Sequence, residues 1–421
     1  MTNLNSTTEN PGETMSDFFD DLETRAPDAR EETLFDCLQA QIRDAQARSP
    51  GFAKILDGVD ATSVTDRTAL AKLPVLRKSA LVELQKSDPP FGGLTTRPAE
   101  EFDYVLQSPG PIYEPGMQSP DWWRFGRALY AGGLRSEDIC INCFAYHLTP
   151  AGAMFDNGAR AIGATVLAGG IGNTEAQVVA AADIGATAYA GTPDFLKVMM
   201  EKAAELGRNL KINKAIVGGG PLFPQVRQFY IDNGISCVQG YGTADLGSIA
   251  FETPAMEGMT IDEGVIVEIV RPGTGDPVPE GEVGEVLVTL LNADYPLIRF
   301  ATGDMSAVLA GPSPCGRTNM RIKGWMGRAD QTTKVKGMFV RPEQIAEVQK
   351  RHPEISKARL VVDRDGDADI MILRAEGEGL NASAVEDTLR DVLKLRGTVE
   401  AADPGSLPND GKVIDDVRKF D

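Results

Sequence analysis

From about residue 103 the chain alternates short apolar runs with stretches of helical spacing. The runs ICINCFAY, ATVLAG, ATAYAG, KAIVGGG and SCVQGYG have the length and composition of buried strands, while AQVVAAADIG and TPDFLKVMMEKAAELG between them predict helices. Such alternation predicts a parallel, doubly wound α/β sheet. Upstream, Leu34, Leu38, Ile42 and Ala45 recur at helical spacing, and a second helix is expected from Ser79 after LPVLRK. Over residues 261 to 310 the pattern changes to VIVEIV, EVLVTLL and PLIRFATGDMSAVLA, separated by Gly and Pro turns, which predicts an antiparallel β-rich subdomain. A last module of strand, helix, two strands, helix and strand follows, with enough apolar positions for a core of its own.

The boundaries implied are an acidic lead over 1–28, expected to be disordered, a large domain over 29–329 and a small α+β domain over 330–421. A length of 421 residues agrees with more than one domain. The apolar fraction of 42% and charged fraction of 24% are those of a globular protein, and no apolar run is long enough to cross a bilayer. With no secretory leader visible, a cytoplasmic location is expected. The net charge of -19 argues against a nucleic-acid surface; residues 1–36 hold ten acids against Arg25 and Arg30.

The chain has two histidines, His147 and His352, and no G-x-S-x-G turn. That argues against a serine-hydrolase site and excludes a histidine-rich metal centre. His352 precedes a proline at an expected helix end and reads as a solvated cap. The five cysteines do not form a disulfide framework; Cys140 and Cys143 have metal spacing, but within a strand they face opposite sides and read as structural.

Four segments place polar residues at turns after apolar strands, where doubly wound sheets bind ligands: VGGGP at 217–221, QGYGTADLG at 239–247, IRFATGDM at 298–305 and GRADQTTKVKGMFVRPEQI at 327–345. Glycines 218 to 220 allow close backbone approach to a flat ring, Tyr241 can stack on it, and Asp304 can accept from a ribose diol. Asp245 can hold a cation. In this order, with LPVLRKSAL upstream and GSLPNDGKV at the end, the segments resemble the adenylate-forming superfamily and most closely its phenylacetate-CoA ligase branch.

That resemblance implies ATP-dependent activation of an aromatic or other hydrophobic carboxylic acid as an acyl-adenylate, then transfer to coenzyme A. Its implied cofactors are ATP/AMP, magnesium and coenzyme A, and it implies a homodimer as the assembly to test. Within an AMP-binding large domain it assigns Gly218, Gly219, Gly220, Pro221, Tyr241, Gly242 and Thr243 to the nucleotide, Asp304 to the ribose hydroxyls and Arg328 to ribose or phosphate. Asp245 becomes the magnesium ligand, Asp330 the hinge of a mobile small domain, and Lys412 the ammonium bridging carboxylate and α-phosphate. Tyr146 and His147 fall near the acyl pocket and are candidates for acid recognition.

The sequence departs from the family at QSPGPIYEPG. Against the family's Ser-Ser-Gly-Thr-Thr-Gly-Lys-Pro phosphate loop, Ser108, Gly110 and Pro115 align, but Pro111, Ile112, Tyr113 and Glu114 replace Thr, Thr, Gly and Lys. Pro109 and Pro111 each delete a backbone N–H. A Glu114 carboxylate ~6 Å from a phosphate charge would be repelled by roughly 3 kcal/mol at an effective dielectric of ~20. Ala244 and Asp245 stand for the family's Thr/Ser-Glu, LPNDGK loses basic and hydroxyl residues, and Ser313-Pro314-Cys315-Gly316 replaces a zinc-binding Cys-x-Cys-Gly, so no structural zinc is expected. Two alternatives stay open: an ATP-independent acyl-CoA transferase and a catalytically inactive nucleotide- or acyl-CoA-binding paralogue.

Overall fold

The computed structural model describes residues 17–329, 333–336, 338–365, 368–408 and 412–418. Strands are numbered along the chain. β1 (Leu76–Arg77) precedes a hairpin of β2 (Tyr104–Ser108) and β3 (Ile112–Gly116). Then come β4 (Ile139–Asn142), β5 (Thr165–Ala168), β6 (Ala188–Gly191), β7 (Lys214–Val217) and β8 (Ser236–Thr243), which form a parallel sheet in the order β8-β7-β6-β4-β5. β9 (Gly247–Phe251), β10 (Met259–Ile261), β14 (Val308–Leu309) and β15 (Arg321–Ile322) extend that sheet with antiparallel pairings.

Side-chain alternation explains why this sheet is covered on both faces. Ile141, Tyr189, Ala215, Val217 and Cys237 project to one side, onto Val178, Leu196, Met199 and Tyr230 of three helices. Cys140, Ala188, Ala190, Ile216 and Val238 project to the other, onto Phe125, Leu129, Met154 and Phe155. Cys140 and Cys143 thus lie in different cores, both unbridged, and burial pushes the Cys143 thiol up to about 12.

The β-rich subdomain is a second sheet, β1-β13-β12-β11, of β11 (Val265–Val270), β12 (Gly284–Leu290) and β13 (Phe300–Ser306), with β1 parallel to β13 and the rest antiparallel. At its centre Arg299, 2% exposed, binds Glu268 through two 3.0 Å contacts and donates to the carbonyls of Ala71, Leu73 and Gly275. This pins the start of β13 to the chain entering β1.

The small domain contains the hairpin β16 (Thr333–Val335) and β17 (Met338–Val340), and a sheet β20-β19-β18-β21 of β18 (Ile355–Asp365), β19 (Ala368–Gly377), β20 (Thr398–Ala402) and β21 (Ile414–Asp416). Its core includes Val335, Ile345, Leu360, Leu373 and Leu389. His352 does end the helix Pro342–Arg351, yet it is packed rather than solvated: its ring reaches Glu354 at 3.0 Å and Thr388 at 2.7 Å, with 12% of the side chain exposed.

Residues 17–28, expected within the disordered lead, are ordered against the large domain. Glu23 is buried and paired with Arg317 at 2.5 Å, Asp20 with Arg127 at 2.5 Å, and Phe19 meets the Tyr130 ring edge to face. Two aromatic residues among the acids supply what the acids alone could not, an apolar surface to bury.

Candidate functional site

The four glycine-turn segments converge on one cleft of about 490 Å³ at the end of β7 and along β8 and β13. Its lining includes Gly219, Gly220, Pro221, Tyr241, Gly242, Asp304 and Arg328. Gly219 adopts φ +71, a conformation that disfavours other residues, and an added Cβ would stand 3.6 Å from Phe144. Gln239 ties this turn to β8, its amide donating to the Gly220 carbonyl at 3.1 Å while its backbone N–H donates to Glu252.

Asp304 is the centre of the cleft. It is 8% exposed and accepts from the Tyr241 hydroxyl at 3.0 Å, the Trp325 indole N–H at 3.1 Å and Arg328 at 2.9 Å. The segment 326–329 runs antiparallel beside β13, through Met305 N–H to Gly327 O and Ala329 N–H to Gly303 O, which brings Arg328 and Trp325 to the carboxylate. Burial, and then the charge of Asp304, raise the Tyr241 phenol well above its ordinary value, so it remains a hydrogen-bond donor. The Arg328 side chain is 55% exposed, so its pairing with Asp304 is solvent-screened, worth about 0–1 kcal/mol, and can exchange for a ligand. Trp325, 47% exposed, is a flat wall of the cleft that sequence reasoning missed.

The other expected residues lie around this cleft or away from it. Gly218 is buried beneath the turn, its N–H on the Gly191 carbonyl, and the Thr243 hydroxyl accepts from the Leu246 N–H. Tyr146 and His147 follow β4; the Tyr146 hydroxyl accepts from Asn142 at 2.8 Å and faces Asp156 at 3.4 Å, while His147 is exposed. Neither lines the cleft. Asp330 lies outside the described residues. Lys412 contacts Asp415 at 3.0 Å and lines a second cleft, of about 390 Å³, where Arg271 and Glu282 of the β-rich subdomain face Ser356, Lys357 and Glu376 of the small domain.

QSPGPIYEPG is the β2–β3 hairpin itself, with Ser108 opposite Ile112 and residues 109–111 forming the turn. Gln85 clamps its edge by exchanging two 2.8 Å hydrogen bonds with the Tyr113 backbone. Strand alternation turns Tyr113 outward and Glu114 inward, leaving Glu114 1% exposed with the Ser108 hydroxyl donating to it at 2.5 Å. Burial first, and then the nearby charge of Asp245, push the Glu114 carboxyl up to about 8. The repulsion expected of a Glu114 carboxylate therefore does not arise: at pH 7 the group is mostly protonated and faces the interior.

Asp245 is buried as well, with a side chain 0% exposed and paired to Lys78 at 2.6 Å. Its second oxygen has no hydrogen-bond partner and is directed into the interior it shares with Tyr295 and Glu114. Among the described residues no group of three His, Cys, Asp or Glu gathers to hold a metal. A carboxylate enclosed and neutralised in this way does not fit a magnesium ligand.

Residues 132–290 match the family model described as AMP-binding enzyme. The chain is 30% identical to a phenylacetate-coenzyme A ligase of Thermus thermophilus over 78% of its own length and 77% of that protein. It is 26% identical to one from Aromatoleum evansii over 80% of each. Its fold resembles that of a 2-hydroxyisobutyryl-CoA ligase solved in an open conformation with 2-HIB-AMP and CoA, with TM-score 0.72, 21% identity and coverage of 96% of this chain and 95% of that one.

Proposed function

Because the chain belongs to the adenylate-forming enzymes, in the branch of the phenylacetate-coenzyme A ligases, we propose that it uses ATP to activate an aromatic or other hydrophobic carboxylic acid and then passes the acyl group to coenzyme A. The observation that carries this reading is Asp304, a buried carboxylate with an aromatic hydroxyl, an indole and an exchangeable guanidinium around it. A ribose diol can take the place of Arg328 and Trp325 on that carboxylate, while Tyr241, Trp325 and the 219–221 backbone offer flat and polar surfaces to a purine.

In this scheme Gly218 to Pro221 and Tyr241 to Thr243 shape the base site, Asp304 binds ribose, and Arg328 moves to ribose or α-phosphate. The mixed anhydride forms when a carboxylate oxygen attacks the α-phosphorus and pyrophosphate leaves; Lys412 offsets the charge gathered on the phosphoryl oxygens. In the present arrangement Lys412 lies in the second cleft, so rotation of the small domain must carry it to the nucleotide. Attack by the CoA thiol on the acyl carbon then expels AMP. Tyr146 and His147 are proposed for acid recognition, and His147→Ala should weaken acid binding much more than AMP binding.

A second reading, acyl transfer without ATP, is favoured by the two prolines in the 109–111 turn, which remove phosphate donors. Pyrophosphate release over a panel of aryl acids separates the two. Release with at least one acid, reduced a hundredfold or more in Lys412→Ala, supports the ligase; thioester exchange without pyrophosphate supports the transferase.

A further inference from the structure

The hairpin turn has lost the hydroxyls and lysine of the family loop, so a grip on the terminal phosphates of ATP has to come from elsewhere. Lys323 lines the Asp304 cleft itself, whereas the ammonium whose charge reaches Glu114 of the hairpin is Lys78. β1 pairs parallel with β13, Leu76 opposite Phe300 and Arg77 opposite Ala301, so the chain leaves β1 with Lys78 beside Thr302, two residues before Asp304. The Tyr241 hydroxyl lies 3.5 Å from Thr302 and 3.0 Å from Asp304, and Asp245, which holds Lys78, lies four residues beyond Tyr241. Lys78 does not line the Asp304 cleft, but it leaves β1 next to the strand that carries Asp304, and its charge acts on Glu114 of the hairpin that replaces the phosphate loop.

The pair is asymmetric. Asp245 has no exposed side-chain surface, whereas the Lys78 side chain keeps 26% of its own. The Lys78 ammonium is held 2.6 Å from this carboxylate, a contact that uses one of its three donors. A buried carboxylate that fixes a lysine in this way presents a positioned positive charge without a metal ion.

We propose that Lys78 binds the β- and γ-phosphates of ATP in place of the lost loop lysine, and that Asp245 serves to hold Lys78 rather than a magnesium ion. This rests on the ATP-dependent reading above. The test is calorimetric titration of the intact protein with AMP and with ATP, each with and without magnesium, for wild type, Lys78→Met, Asp245→Asn and the double variant. The double variant replaces both charges with neutral groups and so avoids leaving a buried carboxylate unpaired.

AMP affinity is expected to stay within about twofold of wild type throughout. ATP affinity should fall tenfold or more in Lys78→Met and in the double variant, and should hold or rise in Asp245→Asn, because an ammonium freed of its carboxylate attracts phosphate more strongly. If wild type binds ATP and the ATP to AMP affinity ratio is unchanged by loss of Lys78, this inference fails while the ligase reading stands. A tenfold loss of magnesium-ATP affinity in Asp245→Asn also overturns it and returns Asp245 to the metal. Wild type that binds AMP but not ATP overturns both.

Discussion

Replacing Glu114 with glutamine should make the protein more stable, and by an amount that grows with pH. The Glu114 carboxyl is 1% exposed and its pKa in the folded protein is about 8 against an ordinary 4.5. Below pH 4.5 both folded and unfolded chains hold the proton and the group's ionisation adds no cost. Between 4.5 and 8 only the folded protein holds it, so stability falls with a slope of about 1.4 kcal/mol per pH unit. At pH 7 the loss is about 3 kcal/mol, approaching about 5 kcal/mol above pH 8. Glutamine keeps the shape and can still accept from the Ser108 hydroxyl, but it has no proton to lose. Urea unfolding of wild type and Glu114→Gln from pH 5 to 9, followed by near-UV circular dichroism, gives the difference directly. The variant's advantage should widen by roughly 3–4 kcal/mol between pH 5 and 8. Parallel pH profiles, or a variant less stable at pH 8, would refute the assignment of Glu114 as a buried, protonated acid.

Arg299→Met should destabilise the large domain by about 3–5 kcal/mol in thermal unfolding, because Glu268 and three carbonyls lose their buried partner; adding Glu268→Gln should restore part of that. Gln85→Ala should cost about 1–3 kcal/mol by the same assay, with little change in AMP affinity, since it unclamps the Tyr113 backbone at the hairpin edge. AMP should change the tryptophan fluorescence of wild type but not of Trp325→Phe, because Trp325 lines the cleft while Trp122 and Trp123 do not. Asp304→Asn should weaken AMP binding tenfold or more, read by calorimetry.

What the sequence made legible was set by local pattern. Apolar runs alternating with helical spacing produce the doubly wound sheet, and glycine turns after strands brought Gly219, Tyr241, Asp304 and Arg328 to one cleft. What it hid depended on pairing over distance or on which face of a strand is buried. Lys78 and Asp245 are 167 residues apart and meet between two sheets, Lys78 where the chain leaves β1 and Asp245 in the turn between β8 and β9. In IYEPG the two-residue period makes Tyr113 and Glu114 face oppositely, but nothing local decides which faces inward, so Glu114 read as a charge toward phosphate. Trp325 carries no spacing of its own and becomes a cleft wall only because 326–329 runs along β13. The acidity of residues 17–28 masked Phe18 and Phe19, whose rings anchor that segment on Arg317 and Tyr130.

The central claim is that this cleft activates a carboxylic acid with ATP, and exchange of labelled pyrophosphate into ATP without coenzyme A isolates that half-reaction. Exchange that requires a hydrophobic acid and disappears in Asp304→Asn is the predicted result. Intact AMP binding with no acid-dependent exchange would contradict it.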